Sequence, residues 1–499
     1  MKYYTKNLCA GLTVIVMLLS LLASCASGDN QNSADNTTSG VKLAENSNDT
    51  ADSKTETSDI ASELPKKDYG GYEFTMLGRE DPHWGSIDLY AETTNAESVN
   101  DAIYARNLYA EERFNIKINA VFSVDAGGLA QKSINSGDDD YDLISIDLWG
   151  SADRLVAPGF AVDINTIPHI NLDNPWWDQN TRSQLSIGGK LFMAMGDLTF
   201  VDKDGAFVYF FNKDLIADLV MENPYELVRN NKWTVDKAYE MAKSASIDLN
   251  SDGKINGEDR FGNFSEANVF YEAVLAADEL FFKKDEKDLP YSDLLNERLL
   301  ESIAKWGEFM IDRQTTMLSG DYLNAYPAIW DKQLEMLNNK QLLLVHTSIS
   351  RASMLRSFDC NFGIIPMPKL NEYQENYANA VHPTCGTTLC IPISASDLER
   401  TGIIVEALTA KSYYTLKPAY YDITLKTKLS RDDESSEMLD IIFANRVYDL
   451  GRMYNWGDVS SVLIQLAHQK TLAYVSRIER KADKIQTDME NTIALFENQ

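Results

Sequence analysis

Tyr141-Asp-Leu-Ile-Ser-Ile-Asp147-Leu-Trp149 is a compact apolar run that ends in an acid and an indole. Its near-continuous hydrophobicity predicts a strand covered on both faces, as in a parallel sheet layered between helices. Toward the N-terminus, a Gly-containing segment over 126–136 reads as a helix, and Ile116, Ile118, Ala120 and Phe122 alternate with other residues as a strand does. Val99, Ile103, Ala110 and Phe114 fall on one helical face, and Tyr72, Phe74 and Met76 alternate again. Strand, helix, strand, helix, strand is the rhythm of an α/β layer with parallel strands. Ligands of such open sheets gather beyond the carboxyl ends of the strands. Residues 79–90 and 147–150 are therefore expected to face a cleft.

Toward the C-terminus the character changes, and 212–341 reads as mostly helical. Lys232-Trp233-Thr234-Val235-Asp236 has the form of a helix start with Thr234 as N-cap. Leu294, Leu295, Leu299, Ile303 and Trp306 form an apolar helical stripe, so Trp233 and Trp306 are expected in the core. Residues 341–345 and 362–365 read as short strands, and 459–496 as a long helical tail.

The N-terminus carries a different message. Lys2 and Lys6 precede an apolar run over 10–22, followed by Leu22-Ala23-Ser24-Cys25. The run is too short for a comfortable membrane span and has the layout of a secretory signal. A cysteine directly after the small residues resembles the lipobox of bacterial lipoproteins, which implies that the signal is removed and that Cys25, as the new N-terminal residue, carries lipid. Residues 26–66, rich in Ser, Asn, Asp and Thr, hold too little apolar surface to offset their ordering entropy and are expected to be a disordered tether.

The 499 residues carry a net charge of −29, which excludes nucleic acid as a partner, because phosphate binding needs a basic surface. Beyond the signal, three cysteines remain: Cys360, Cys385 and Cys390. An odd number is no disulfide framework. An extended segment would hold Cys385 and Cys390 roughly 16 Å apart, beyond disulfide reach; buried free thiols are expected.

Asp248-Leu-Asn250-Ser-Asp252-Gly253-Lys254-Ile255-Asn256-Gly-Glu-Asp259 places oxygen side chains at loop positions one, three, five, nine and twelve, with Gly at six. Ca²⁺ takes six to eight hard oxygen ligands, and this spacing can wrap them around one ion. The expected ligands are Asp248, Asn250, Asp252, Asn256 and Asp259, with Lys254 contributing its backbone carbonyl, in a structural clip. No enzyme constellation accompanies it. The five histidines lack metal-ligand spacing, and there is neither a G-x-S-x-G elbow nor a phosphate-cradling glycine loop.

Phe210-Phe-Asn-Lys-Asp-Leu215 resembles a segment common in extracellular solute-binding proteins of carbohydrate ABC transporters. Ile167-Pro-His-Ile-Asn-Leu-Asp-Asn-Pro-Trp176-Trp177-Asp178, Asn223-Pro-Tyr-Glu-Leu-Val228 and Phe362-Gly-Ile-Ile-Pro-Met-Pro368-Lys369 resemble the same family, as does Glu437-Met-Leu-Asp-Ile-Ile442 with Tyr448-Asp-Leu-Gly451. The order of these matches spans nearly the whole mature chain. The resemblance implies an α/β, two-lobed periplasmic-binding-protein-like fold of type II, with discontinuous lobes joined by a hinge. Lobe 1 is expected over 67–200 plus 346–405 and lobe 2 over 201–345 plus 406–499, with crossovers near 196–205 and 346–351. It implies a monomeric receptor without chemistry of its own, anchored by lipid to the outer face of the cell membrane. Such a receptor delivers a sugar or oligosaccharide to ABC permease subunits.

A pyranose offers apolar C–H faces to aromatic rings and a rim of hydroxyls to polar groups. Trp84, Trp149 and Trp330 are the expected platforms, with Asp147, Asp204 and Ser348 as hydroxyl partners. Trp176 and Trp177, after Pro175, are expected to be a packing corner. Two other readings remain: a surface glycoside-acting enzyme, whose carboxylates need not be close in sequence, and a glycan-docking lipoprotein of an outer-membrane uptake system.

Overall fold

The computed structural model describes residues 63–355, 358–421 and 433–499. The signal segment, Cys25 and nearly all of the expected tether lie outside the described residues. Residues 57–499 form one compact unit. It is built on two separate sheets.

The first sheet follows the sequence rhythm. Strand β1 (Tyr72–Arg79) leads to helix α1 (Ser98–Phe114), β2 (Ile116–Ser123), α2 (Ala126–Ser136) and β3 (Leu143–Asp147). β1 pairs in parallel with both β2, from Tyr72↔Ile116 to Arg79↔Ser123, and β3, from Met76↔Leu143. β3 is buried over Leu143–Ile146, as its continuous apolar run requires. Asp125 starts α2 by accepting the Gly128 amide, and Gly137, in the left-handed region, ends it.

The chain then crosses to the second sheet. β4 (Phe207–Asn212), α3 (Val235–Ala245), β5 (Phe261–Ser265), α4 (Glu297–Ile311), β6 (Thr316–Leu318), α5 (Ile329–Asn338), β7 (Leu342–Ser348) and β8 (Phe362–Ile365) follow in order. The strands lie in the spatial order β8-β4-β7-β5-β6, parallel for β7-β5-β6 and antiparallel at β4. Thr234 caps α3 by accepting the Lys237 amide at 3.2 Å, and Trp233 and Trp306 are fully buried. The middle of the chain is less helical than its sequence suggests. β5 reads Phe-Gly-Asn-Phe-Ser and is buried at every position, so it shows no alternation that would mark it as a strand.

The chain returns to the first sheet as β9 (Thr387–Cys390), antiparallel to β3 with Thr387 opposite Asp147. It continues into α6 (Leu398–Tyr414), α7 (Asp433–Ala444), α8 (Val459–Gln469) and α9 (Ala482–Asn498). Two expected lobe boundaries are thereby corrected. A crossover near 346–351, with 346–405 in lobe 1, does not fit: β7 runs on through Ser348 opposite Phe207, and β8 pairs with β4 in the second sheet. His346 is fully buried against the rings of Phe207, Tyr209 and Trp306, which anchors the strand there. The boundary at 405 falls inside the continuous helix α6, which packs on α1 of the first sheet. The tail is three helices rather than one, broken after Gln469, where Lys470 takes a left-handed conformation.

No helix among the described residues is long and apolar enough to cross a membrane. Cys360, Cys385 and Cys390 are all buried.

Candidate functional site

The carboxyl ends of the parallel strands in both sheets open onto a common cavity. From the first sheet, the loop after β1 supplies His83 and Trp84. Asp81 folds this loop by accepting the amides of His83 and Trp84, both at 2.8 Å. Arg79 holds Asp81 at 2.7 Å and donates to the Thr384 carbonyl at 2.8 Å. From the second sheet, the residues just past β5 supply Glu266 and Asn268, the end of β7 supplies Thr347, Ser348 and Arg351, and the start of α5 supplies Trp330. The returning segment before β9 closes the cavity with His382, Thr384 and Cys385. Its volume is about 440 Å³.

Trp84 and Trp330 thus approach one cavity from opposite sheets. The side chains of Trp330 and Asn268 lie beside the Glu266 carboxylate and favour its charged form, yet burial raises the carboxyl above the usual range. Among the described residues Arg351 makes no ion pair within 4 Å; its guanidinium rests on Met354 Sδ at 3.3 Å. Ser348 and Ser350 share a hydroxyl hydrogen bond of 2.8 Å. His382 stands between the Arg452 guanidinium at 2.7 Å and Thr384 Oγ1 at 2.8 Å. Burial lowers its pKa to about 4, so it is neutral at physiological pH. Burial likewise pushes the Cys385 thiol up to about 12, which leaves it unreactive.

Asp147 and Trp149 line an adjoining cavity of about 1060 Å³ that shares Asn268, His382 and Thr384 with the first. Trp149 is fixed by an Nε1–H donation to the Arg452 carbonyl at 2.9 Å, and the Arg452 guanidinium lies 4.9 Å from its ring centroid. Glu272 neutralises Arg452 at 2.8 Å. Asp147 is 3.4 Å from Arg79, yet burial dominates and its carboxyl is raised.

Five of the six expected ligand residues therefore line the two connected cavities. Asp204 does not. It lies at the first crossover, where Tyr420 donates to its carboxylate. Trp176 and Trp177 form the expected corner: both indoles donate at 2.9 Å to the two oxygens of Glu406. Glu266, Asn268 and Arg351 escaped the sequence reading for one reason. They obey the same strand-end rule that found Trp84 and Trp149, but β5 was not legible as a strand and β7 was expected to end sooner. His382 and Arg452 carry no local signal at all.

In the loop over 248–259, Asp248 accepts the amides of Ser251 and Gly253, Asn250 that of Asp252, and Asp252 that of Lys254. Buried Asp259 accepts the amides of Leu249 and Asn256. Gly253 has φ +80°, which permits the sharp turn. The oxygen donor set is of the type calcium takes. Among the described residues, no group of three or more His, Cys, Asp or Glu side chains is already gathered for a metal ion.

No family model matches the chain, and no curated protein matches it. Solved structures do resemble it. A cyclo/maltodextrin-binding protein in complex with maltotetraose aligns at 13% identity, with 84% of this chain and 97% of that one covered and a TM-score of 0.54. The UspC protein of M. tuberculosis aligns at 11% identity over 85% of this chain and 100% of its own, with a TM-score of 0.53. An ABC substrate-binding protein from Listeria monocytogenes in complex with cycloalternan aligns at 12% identity over 85% and 98%, with a TM-score of 0.51. At such identities the likeness establishes the fold alone, a two-lobed α/β architecture.

Proposed function

We propose that the protein is the lipid-anchored, extracellular substrate-binding component of an ABC importer. It captures a sugar or oligosaccharide between its two sheets and hands it unaltered to the permease. The observation that carries this reading is the pairing of Trp84 and Trp330 across one cavity, each from a different sheet, above a polar rim of Glu266, Asn268, Ser348 and Arg351. Aromatic faces suit the C–H faces of a pyranose, and the rim suits its hydroxyls. The resemblance of the fold to a maltodextrin-binding protein and to a cycloalternan-bound substrate-binding protein supports the same choice.

Closure is favoured only by ligand contacts that the two sides make together. A sugar bridging Trp84 and Trp330 makes such contacts, and a ligand touching one side does not. No bond is broken in this scheme, and a monomer is sufficient for it. The lipid at Cys25 keeps the receptor beside its transporter, and the tether over 26–66 lets it reorient.

Calcium belongs to the same proposal as a structural clip. Asp248, Asn250, Asp252, Asn256, Asp259 and the carbonyl of Lys254 would hold it, drawing the loop between α3 and β5 into a fixed form.

The test is a thermal-shift screen of the full chain against mono- and oligosaccharides, with the sugar recovered afterwards. Binding to the native state alone raises the melting temperature by mass action. A shift with the sugar returned intact supports a receptor. Conversion of the sugar to product points to the glycoside-acting alternative, and no shift across a broad panel removes the carbohydrate assignment.

A further inference from the structure

Beyond the Trp84–Trp330 cavity, the larger adjoining cavity continues from Trp149 to a wall made by the tail of the chain. The loop between Arg452 and α8, with Asn455 and Asp458, forms part of this wall, and α8 and α9, the latter with Asp488 and Asn491, form the rest. We propose that this second cavity is a further saccharide-binding arm, and that the ligand is an uncharged oligosaccharide long enough to occupy both. This rests on the carbohydrate reading given above.

Three observations carry the proposal. The first is continuity and size. The two cavities share Asn268, His382 and Thr384, so a chain leaving the first enters the second beside Trp149. The first, about 440 Å³, already lies within the roughly 300–1,000 Å³ that holds a drug-sized ligand. The second, about 1060 Å³, is larger than a small sugar placed in the first would require.

The second observation is that specific contacts fix the form of the wall. Asn455, Gly457 and Asp458 all adopt left-handed backbone conformations, with φ of 52°, 61° and 53°. Gly, Asn and Asp are the residues that adopt this region most readily, so the loop's form is set by its contacts and not by strain. Here the contacts come from α9 and its neighbours. The Gly457 amide donates to Asp488 at 2.7 Å, the Trp456 indole donates to Thr492 at 2.8 Å, and Lys481 reaches Asp458 at 3.4 Å. Asn455 is thereby held at the cavity surface, and its side chain makes no hydrogen bond among the described residues. Asn491, on α9, is in the same condition. Each amide offers one acceptor and two donor hydrogens, which matches the mixed donor and acceptor character of sugar hydroxyls.

The third observation is charge. Asp147, Asp153, Asp458 and Asp488 line this arm, each paired with a cation (Arg79, Arg154, Lys481 and Lys484), and Arg452 is paired with Glu272. Among the described residues no unpaired cation lines the arm to hold an acidic saccharide, whereas an uncharged one needs none.

The experiment titrates the full chain with neutral malto-, cello- and xylo-oligosaccharides of two to six units, reading dissociation constants by calorimetry. For a series that binds, affinity is expected to rise with length by about tenfold or more between the shortest and longest members. The double variant Asn455→Ala/Asn491→Ala should reduce that ratio several-fold while leaving the disaccharide affinity unchanged. Asn491→Trp, at an exposed helical position that tolerates a large side chain, should block the arm and abolish the length dependence. Length-independent affinity in the native chain, or variants that weaken all lengths equally, would overturn the arm while leaving the receptor reading intact. Failure of every series to bind would overturn both.

Discussion

Tyr420 donates its phenolic hydrogen to Asp204, joining the segment after α6 to the first crossover between the sheets. The phenol's own pKa is driven well above its ordinary value, so it remains the donor throughout the physiological range. Burial pushes the Asp204 carboxyl up to about 7, and the negative charges of Asp202 and Asp88 add to the effect; Tyr420 and Lys203 oppose it. Asp204 is therefore part of a charge network at the crossover and lines neither of the two cavities.

That network has a pH signature. The unfolded chain loses the Asp204 proton near 3.8, whereas the folded protein keeps it until about 7. Between those values the native state binds more protons than the unfolded state, so this group's contribution to stability falls as pH rises through the window. Asp88, raised to about 6, adds a slope of the same sign. Asp204→Asn removes one titrating group while keeping an acceptor for Tyr420. Denaturant midpoints measured from pH 4 to pH 7 should therefore decline less steeply in the variant than in the native chain. Parallel profiles would show that Asp204 is already ionised in the folded state.

Trp330 is 38% exposed and lies beside Glu266. Trp330→Ala should lower the melting temperature of the unliganded protein by a few degrees, because most of the side chain's surface is buried. It should weaken saccharide binding by roughly 10- to 100-fold, the sum of a lost stacking contact and its buried area. Trp84→Ala should act in the same direction from the opposite side of the cavity. Calorimetric titration with any saccharide that shifts the melting curve decides the matter, and an unchanged affinity in both variants would place the ligand elsewhere.

The contrast between Trp84 and Glu266 shows how far the sequence could be read. The first sheet alternates clearly at Tyr72, Phe74 and Met76, and its carboxyl-end rule led directly to Trp84, Asp147 and Trp149. In the second sheet, β5 is five residues long, contains Gly262 and Asn263, and is buried on both faces, so periodicity carries no information there. His382 and Arg452 reach the site only because β9 and the tail return to it from distant parts of the chain. Their placement depends on tertiary packing, which no local pattern encodes. The lobe boundary at 346–351 erred similarly: a strand can continue through His346-Thr-Ser348 when aromatic neighbours bury the imidazole.

The loop over 248–259 should respond to calcium. Side-chain oxygens of Asp248, Asn250 and Asp252 accept the loop's own amides, so an ion would have to draw these oxygens together as it binds. Millimolar Ca²⁺ should raise the melting temperature, a chelator should reverse the rise, and Asp248→Ala should abolish it. At a concentration 100-fold above the dissociation constant the stabilisation is about 2.7 kcal/mol. Identical melting curves with calcium and with chelator would remove the ion from the account.

Gly457 meets two constraints at once. Its φ is +61°, and a Cβ there would lie 2.0 Å from Ile485 Cγ1 on α9. Gly457→Ala should therefore incur backbone strain and overpacking together, roughly 2–5 kcal/mol. Gly137, at the end of α2, separates the two terms: its φ is +76°, but nothing lies within 4 Å of an added Cβ. Gly137→Ala should cost only the backbone part, about 1 kcal/mol. Denaturant midpoints of both variants test the difference. If the two substitutions cost the same, α9 is not packed against the loop at Gly457. If Gly457→Ala costs more and also weakens binding of long saccharides selectively, the contact with Ile485 is what holds the wall of the second arm in place.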